Sequence, residues 1–415
     1  MKAIESRYTL KFHSQAIAAS PPAMTVAVPA SLEGSAEAKP APAAEPARRI
    51  DYLDGIRAVA AIWVVLSHIW ITQYGLNAHT GLFGVLTNWT LYSHLAVDVF
   101  IVLSGFCLIL PRLRKPSAPF DVINFYYRRA HRILPPYYCA LALGIVVSVS
   151  CRHLLGGGWH LSAPDVLANV FLVQDALISR DTLNGPLWSV AVEWRIYFLF
   201  PLIVLALFRY GRWSVVIATA LLGYGITTAI FRWAPTMLLS CPWYIMLFGF
   251  GVCAGSTAFG KHAKRALYFP AATAFLSLLA LGYCLWKYQL RPDDVVTFGL
   301  HMPLIDSFAG LLAASLLVVL GRKPETHFSV RLLSWRPLAW IGVISYSLYL
   351  VHMPTLIALN SLFLRYPIRM LSSPLDRVVV LLILGIPITL SASYGFFWIV
   401  ERPLLNRKLQ KTTSR

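Results

Sequence analysis

Two basic side chains stand eleven residues apart in one apolar run, Arg57 and His68 in LDGIRAVAAIWVVLSHIW. On a helix that spacing turns through about 1100° and rises about 16 Å, so both lie on one face. An imidazole can take a proton near neutral pH, and a guanidinium holds phosphate or carboxylate oxygens in a fixed fork. Two acids also sit in apolar surroundings, Asp98 in HLAVDVFIVLSGF and Glu193 in NGPLWSVAVEWRIYFLFP. Counted from the ends of their runs, both fall near the depth expected of His68, which gathers one imidazole and two carboxylates. A carboxylate bonded to one ring nitrogen would orient the imidazole and leave the other nitrogen as a general base. Depth does not say which carboxylate does this. A buried histidine beside an acid serves equally well as a structural polar cluster, and the residues alone leave both readings open.

The elements that must position these groups follow from composition. The chain has 415 residues, of which 57% are hydrophobic and 13% charged, against roughly 25% charged in a soluble domain. Its apolar residues arrive in runs of about 20, the length that crosses a bilayer core. The runs fall near 53–74, 91–111, 133–150, 188–208, 213–231, 242–259, 267–286, 301–320, 337–359 and 377–399. This pattern reads as an all-α integral membrane protein with about ten transmembrane helices. Residues 1–48 are rich in Ala and Pro and read as a disordered cytoplasmic extension; 49–405 form the transmembrane domain and 406–415 a basic tail. A charge at the centre of a spanning helix costs roughly 2.5 to 3.5 kcal/mol, so each of the four groups above needs a partner or a role.

A net charge of +18 could suggest nucleic acid, but no nucleic-acid motif accompanies it and none is expected as a partner. The charge belongs to loops. With the N-terminus inside, the cytoplasmic loops carry Arg112, Arg114, Lys115, Arg128, Arg129 and Arg132, then Arg209 and Arg212, then Lys261, Lys264 and Arg265, then Arg322, Lys323, Arg331 and Arg336. The opposite loops hold fewer, so both termini are expected in the cytoplasm. By pattern alone the arginines of YYRRAHRILPPYY read as a positive-inside anchor. The outside loop at about 152–187 holds an apolar stretch, Val166 to Val173, expected to form a helix lying at the surface. The six cysteines show neither a CxxC pair nor metal-ligand spacing, and no metal site is expected.

Taken in order, six segments resemble the family-3 membrane acyltransferases, the bacterial O-acetylase type. They are LDGIRAVAAIWVVLSH, VDVFIVLSGF, FYYRRAHRILP, LWSVAVEWRIYFLFP, ISYSLYLVHMP with Tyr346, Tyr349 and His352, and IVERP with Glu401. The resemblance implies transfer of an acyl group, usually acetyl, from cytoplasmic acyl-CoA to a hydroxyl of a sugar-containing acceptor, at a bacterial inner membrane. Acetyl-CoA would be a co-substrate, with no bound cofactor; the acceptor would be an exopolysaccharide, a lipopolysaccharide or a glycolipid. The family's functional arginines and histidine fall on Arg57, His68, Arg129 and Arg132. On that reading the three arginines hold the phosphates of CoA, His68 is the base with Asp98 and Glu193 beside it, and Tyr346, Tyr349 and His352 line the pocket. Direct attack by the acceptor is favoured over an acyl-histidine, because no Ser or Cys nucleophile motif accompanies the base.

The sequence departs from the family pattern in two places. Trp194 and Arg195 follow Glu193 where many relatives carry a second acidic or polar residue. The larger relatives also continue into a soluble esterase-like domain, whereas this chain stops soon after Pro403, suggesting an acceptor that reaches the membrane pocket unaided. Two other readings stand beside this one. The first is succinyl transfer to a glucan, for which Arg195 could supply an extra cation. The second is a polytopic sugar or lipid transporter, although no paired broken helices are evident.

Overall fold

The computed structural model describes residues 50–155, 161–177, 183–234, 240–260, 268–290, 295–366 and 373–405. The expected N-terminal extension and basic tail lie outside the described residues. Among the described residues there is no strand.

Helix α1 (Asp51–Tyr74) opens with Asp51 and Asp54 in its first turn, where carboxylates complement the helix dipole. It ends at Gly75, whose φ of 67° lets its N–H return to the Ile71 carbonyl at 2.8 Å. A short α2 (Gly81–Thr87) leads into α3 (His94–Arg114) and the 34-residue α4 (Val122–Leu155). Next come α5 (Ala163–Val170), α6 (Gln174–Leu177), α7 (Leu187–Tyr197) and α8 (Phe200–Tyr210). The second half holds α9 (Arg212–Trp233), α10 (Tyr244–Phe259), α11 (Tyr268–Lys287), α12 (Val295–Gly321), α13 (Phe328–Leu333), α14 (Arg336–Val343), α15 (Ser345–Arg365) and α16 (Pro374–Leu405).

Among the described residues eight helices are long and apolar enough to cross a membrane, nine if α7 and α8 count as one bent span, and the 16-residue α10 is a shorter apolar helix. Each of the ten apolar runs is therefore helical, with two differences in detail. Run 188–208 breaks between α7 and α8 with a bend of 49°, because Pro201 has no N–H to offer the Tyr197 carbonyl. Run 337–359 divides at Ile344, so that α14 is separate. There Gly342 is pressed so closely on α1 that a Cβ would stand 2.0 Å from the Asp54 carbonyl oxygen.

The centre is α10, apolar and buried around most of its circumference against α3, α9 and α12. Gly105 and Gly251 let α3 and α10 touch backbone to backbone: a Cβ at Gly251 would lie 2.0 Å from the Val102 carbonyl oxygen. At the periphery, α9 and α11 expose Ile217, Leu221, Phe275 and Leu276. Such faces would be adhesive patches in water and are at home against lipid.

Residues 161–177 do not form a single apolar helix at the surface. They form α5 and α6, and here and in residues 183–186 polar side chains turn inward. Asn169, Gln174, Asp175 and Asn184 are all buried. Tyr137 of α4 donates to the Asn169 carbonyl at 2.7 Å, Gln174 donates to Tyr137 and to the Leu187 carbonyl, and Asn184 reaches the Leu350 carbonyl at 3.0 Å. Leu167, Phe171 and Leu177 face out. These polar side chains are what an apolarity count overlooks. They satisfy the irregular backbone inside the bundle, where water is scarce.

Candidate active site

The first turns of α1 place Arg57 two ways at once: Nη1 donates to Asp54 at 2.8 Å, and Nη2 donates to the Cys107 sulfur of α3 at 3.1 Å. Glu193 of α7 lies within electrostatic reach of Arg57 and of Arg129 on α4. Tyr197 links this group together, donating to Glu193 at 2.5 Å while its hydroxyl meets Ser104 at 2.8 Å. Arg132, one turn beyond Arg129, acts on Glu401 and on Tyr346. Glu401 in turn accepts from Ser347 at 2.6 Å, and Tyr346 donates to the Ile133 carbonyl at 3.1 Å. Residues of six helices thus surround Arg57, Arg129 and Arg132, with the carboxylates of Asp54, Glu193 and Glu401 and the hydroxyls of Tyr197 and Tyr346 among them. Arg57 and Arg129 both lie within reach of Glu193, and Arg129 within reach of Arg132. The π-turn Phe397–Glu401 ends on Glu401 and swings it toward α15. A counter-acid to Arg132 was not foreseen, although the Glu401 motif itself is plain in the sequence.

About three turns along α1 from Arg57 stands His68. Its Nδ1 is 2.8 Å from the Val64 carbonyl oxygen. A carbonyl only accepts, so Nδ1 carries the hydrogen and Nε2 holds the lone pair of the neutral ring. His352 of α15 packs edge-on against it with ring centroids 5.1 Å apart. His352 is fully buried, and its own Nδ1 is 3.1 Å from the Leu348 carbonyl oxygen. Tyr349 lies beside His352 and shares a 2.7 Å hydrogen bond with Ser189 of α7. The pocket candidates therefore divide: His352 and Tyr349 belong to the His68 level, while Tyr346 belongs to the arginine level.

Asp98 and Glu193, expected beside His68, have other partners in the structure. Asp98, Val102 and Gly105 recur at helical spacing, and that stripe of α3 faces α10. Asp98 is fully buried beside the Asp306 carboxyl of α12 and the Tyr244 hydroxyl of α10. Asp306 accepts from the Trp243 indole at 2.8 Å and pairs with His94 at 3.3 Å. This is a second polar cluster, with partners of its own. α7 starts inside the bundle, at the fully buried Leu187, and its Glu193 reaches the arginine level. Among the described residues a backbone carbonyl meets Nδ1 of His68. Asp306 was legible: it is an acid inside the run 301–320, the same signal that marks Asp98.

Arg195 pairs with the buried Asp175 through both guanidinium nitrogens and donates to the Leu172 carbonyl at 2.8 Å. It fastens α7 to the segment before it. The larger described cavity, about 520 Å³ between α9 and α12, is lined by Tyr224, Thr227, Arg232 and His301 among others, and by none of the expected site residues.

A many-helix membrane chain with a guanidinium cluster at one level and an imidazole pair at another defines a class of intramembrane enzyme-like sites. The chain matches the acyltransferase domain family, acyltransferase 3, over residues 50–394 and belongs to it. It is 26% identical over 402 residues to YrhL of Bacillus subtilis (strain 168), provisionally named a peptidoglycan O-acetyltransferase, covering 89% of this chain and 57% of that one. It is 24% identical to the peptidoglycan O-acetyltransferase OatA of Listeria monocytogenes, covering 73% and 48%, and 24% identical to the O-acetyltransferase OatA of Staphylococcus aureus, covering 77% and 52%. The chain spans about half the length of these curated relatives. No solved structure matches it.

Proposed function

We propose that this chain is a multi-pass O-acyltransferase of a bacterial inner membrane, moving an acetyl group from acetyl-CoA to a hydroxyl of a carbohydrate acceptor. The observation that carries the reading is the arrangement along α1: Arg57, which shares the reach of Glu193 with Arg129, lies about 16 Å along the helix from His68, whose Nδ1 meets the Val64 carbonyl. CoA has phosphates at one end and its thioester at the end of a long flexible arm, and the two levels suit those two ends. Guanidinium groups take phosphate oxygens in bidentate fashion. Glu193 and Glu401 stand as counter-acids to the arginines while no donor is bound.

At the other level, Nε2 of His68 takes the proton of the acceptor hydroxyl as its oxygen attacks the thioester carbonyl. The tetrahedral intermediate collapses with cleavage of the carbon–sulfur bond, and the departing CoA thiolate receives that proton from the imidazolium. His352 backs the ring and fixes its plane. The positive loops support an arginine level at the cytoplasmic end, the side on which acetyl-CoA is made. The names of the relatives support a cell-wall glycan as acceptor, and a lipopolysaccharide or glycolipid sugar presents the same hydroxyl chemistry. Succinyl transfer drew on Arg195 as a spare cation; that side chain is engaged by Asp175, which favours a small uncharged acyl group. The test is release of free CoA from acetyl-CoA by membranes containing the protein, with peptidoglycan fragments as acceptor. His68→Ala at matched expression is expected to lower the rate at least about 100-fold. Equal rates from both proteins would refute the role of His68.

A further inference from the structure

A second pair of guanidinium groups lies at the end of the bundle where α1 begins. Arg212, the first residue of α9, donates from Nη1 to the Thr257 hydroxyl of α10 at 2.8 Å, and Arg322, just past the end of α12, donates from Nη2 to the Thr257 carbonyl at 2.8 Å. The Thr257 hydroxyl is held in turn by the Cys253 carbonyl at 2.7 Å. One threonine thus draws two like charges together. Partial burial and the Arg212 charge both hold Arg322 below the ordinary arginine value. Among the described residues no carboxylate pairs with Arg212. Two converging guanidinium forks suit a phosphate monoester, whose oxygens accept from both at once.

This pair is connected to the first arginine cluster by a short path. A Cβ at Gly321, the neighbour of Arg322, would stand 3.2 Å from the Tyr52 hydroxyl. Tyr52 is 7% exposed, its hydroxyl has no hydrogen-bond partner among the described residues, and it lies within electrostatic reach of Cys107. Cys107 is the sulfur to which Arg57 donates. A buried hydroxyl lacking a partner therefore lies between the two basic groups. CoA carries phosphate at two separate places, the diphosphate that joins adenosine to the pantetheine arm and a monoester on the ribose 3′ position. We infer that Arg212 and Arg322, held on Thr257, bind the ribose 3′-phosphate of acyl-CoA, while Arg57, Arg129 and Arg132 bind the diphosphate and Tyr52 meets the ligand between them. The inference rests on the acyl-CoA reading above and adds to it a specificity site for the nucleotide end.

The experiment compares two donors on the purified full chain in nanodiscs of zwitterionic lipid: acetyl-CoA, and acetyl-3′-dephospho-CoA, which lacks only the monoester. Wild type is expected to bind acetyl-CoA at least about tenfold more tightly, as befits one charge-assisted pair. Arg212→Gln and Arg322→Gln are each expected to bring the ratio of the two Kd values toward one, and Arg331→Gln to leave it unchanged. Equal Kd values in wild type, or a ratio that survives both substitutions, overturns the inference and leaves the acyl-CoA reading standing. Binding of neither donor by well-folded wild type overturns both. A lipid headgroup offers the same phosphate chemistry. If anionic lipid in the disc raises thermal stability only when Arg212 and Arg322 are present, and the donor ratio is one, the pair belongs to the headgroup and the inference falls.

Discussion

At the scale of single residues, the two buried polar clusters differ in what they ask of their side chains. The His68 and His352 rings each have Nδ1 on the carbonyl four residues before, so both imidazoles are aimed by their own helices. Their geometry survives changes elsewhere as long as α1 and α15 remain in register. The Asp98 and Asp306 cluster has no such self-sufficiency, because its members depend on one another across α3, α10 and α12. Asp306→Ala removes the acceptor of the Trp243 N–H and the partner of His94, and leaving buried donors unsatisfied costs about 1 to 3 kcal/mol each. The expected result is a lower melting temperature of the detergent-solubilised protein, with His68-dependent CoA release lost only as the fold is lost. A variant with unchanged thermal stability and abolished transfer would show instead that this cluster takes part in the chemistry. Much of this was legible from residue type alone: an ionisable group inside an apolar run marks Arg57, His68, Asp98 and Asp306 alike. Which groups face each other was not, since depth counts turns and ignores the helix face.

At the scale of elements, α7 shows why depth failed for Glu193. The count presumed that the run beginning at Trp188 started at a membrane surface. In fact α7 is entered from α5 and α6, whose inward polar side chains carry the chain into the bundle before the helix starts. The Arg195–Asp175 pair holds that entry in place. Asp175 is fully buried, whereas the Arg195 side chain is 35% exposed, so the pair is screened on one side only and its coupling falls below that of a fully buried pair. A double-mutant cycle on thermal stability with Arg195→Ala, Asp175→Asn and the double variant is expected to give a coupling of about 1 to 3 kcal/mol. Additive losses would mean that the pair does not hold the entry. By contrast, the ten helical runs were readable because length and apolarity suffice for them. The breaks at Pro201 and Ile344 were weaker signals, the first carried by one proline and the second by close packing of Gly342 that no local pattern announces.

At the scale of the whole molecule, the distribution of Lys and Arg predicts the sidedness on which the donor assignment depends. In a background with the six cysteines replaced by serine, Asn77→Cys, in the connection after α1, is expected to react with a membrane-impermeant maleimide on intact cells. Lys323→Cys, beside the Arg212 and Arg322 pair, is expected to react only after the cells are opened. The opposite pattern would put the arginine level outside, away from cytoplasmic acyl-CoA. Family membership over residues 50–394 agrees with the order of motifs in the chain, while Arg212 and Arg322 come from two separate places that no single motif spans.

The short central helix has a further consequence. Sixteen residues of α10 rise only about 24 Å, less than the roughly 30 Å of a bilayer's hydrocarbon core. Wrapped by α3, α9 and α12, this helix meets little lipid that could deform to match it. Its 16 residues therefore do not complete a crossing by themselves, and the backbone that continues beyond them must find its hydrogen-bond partners within the protein.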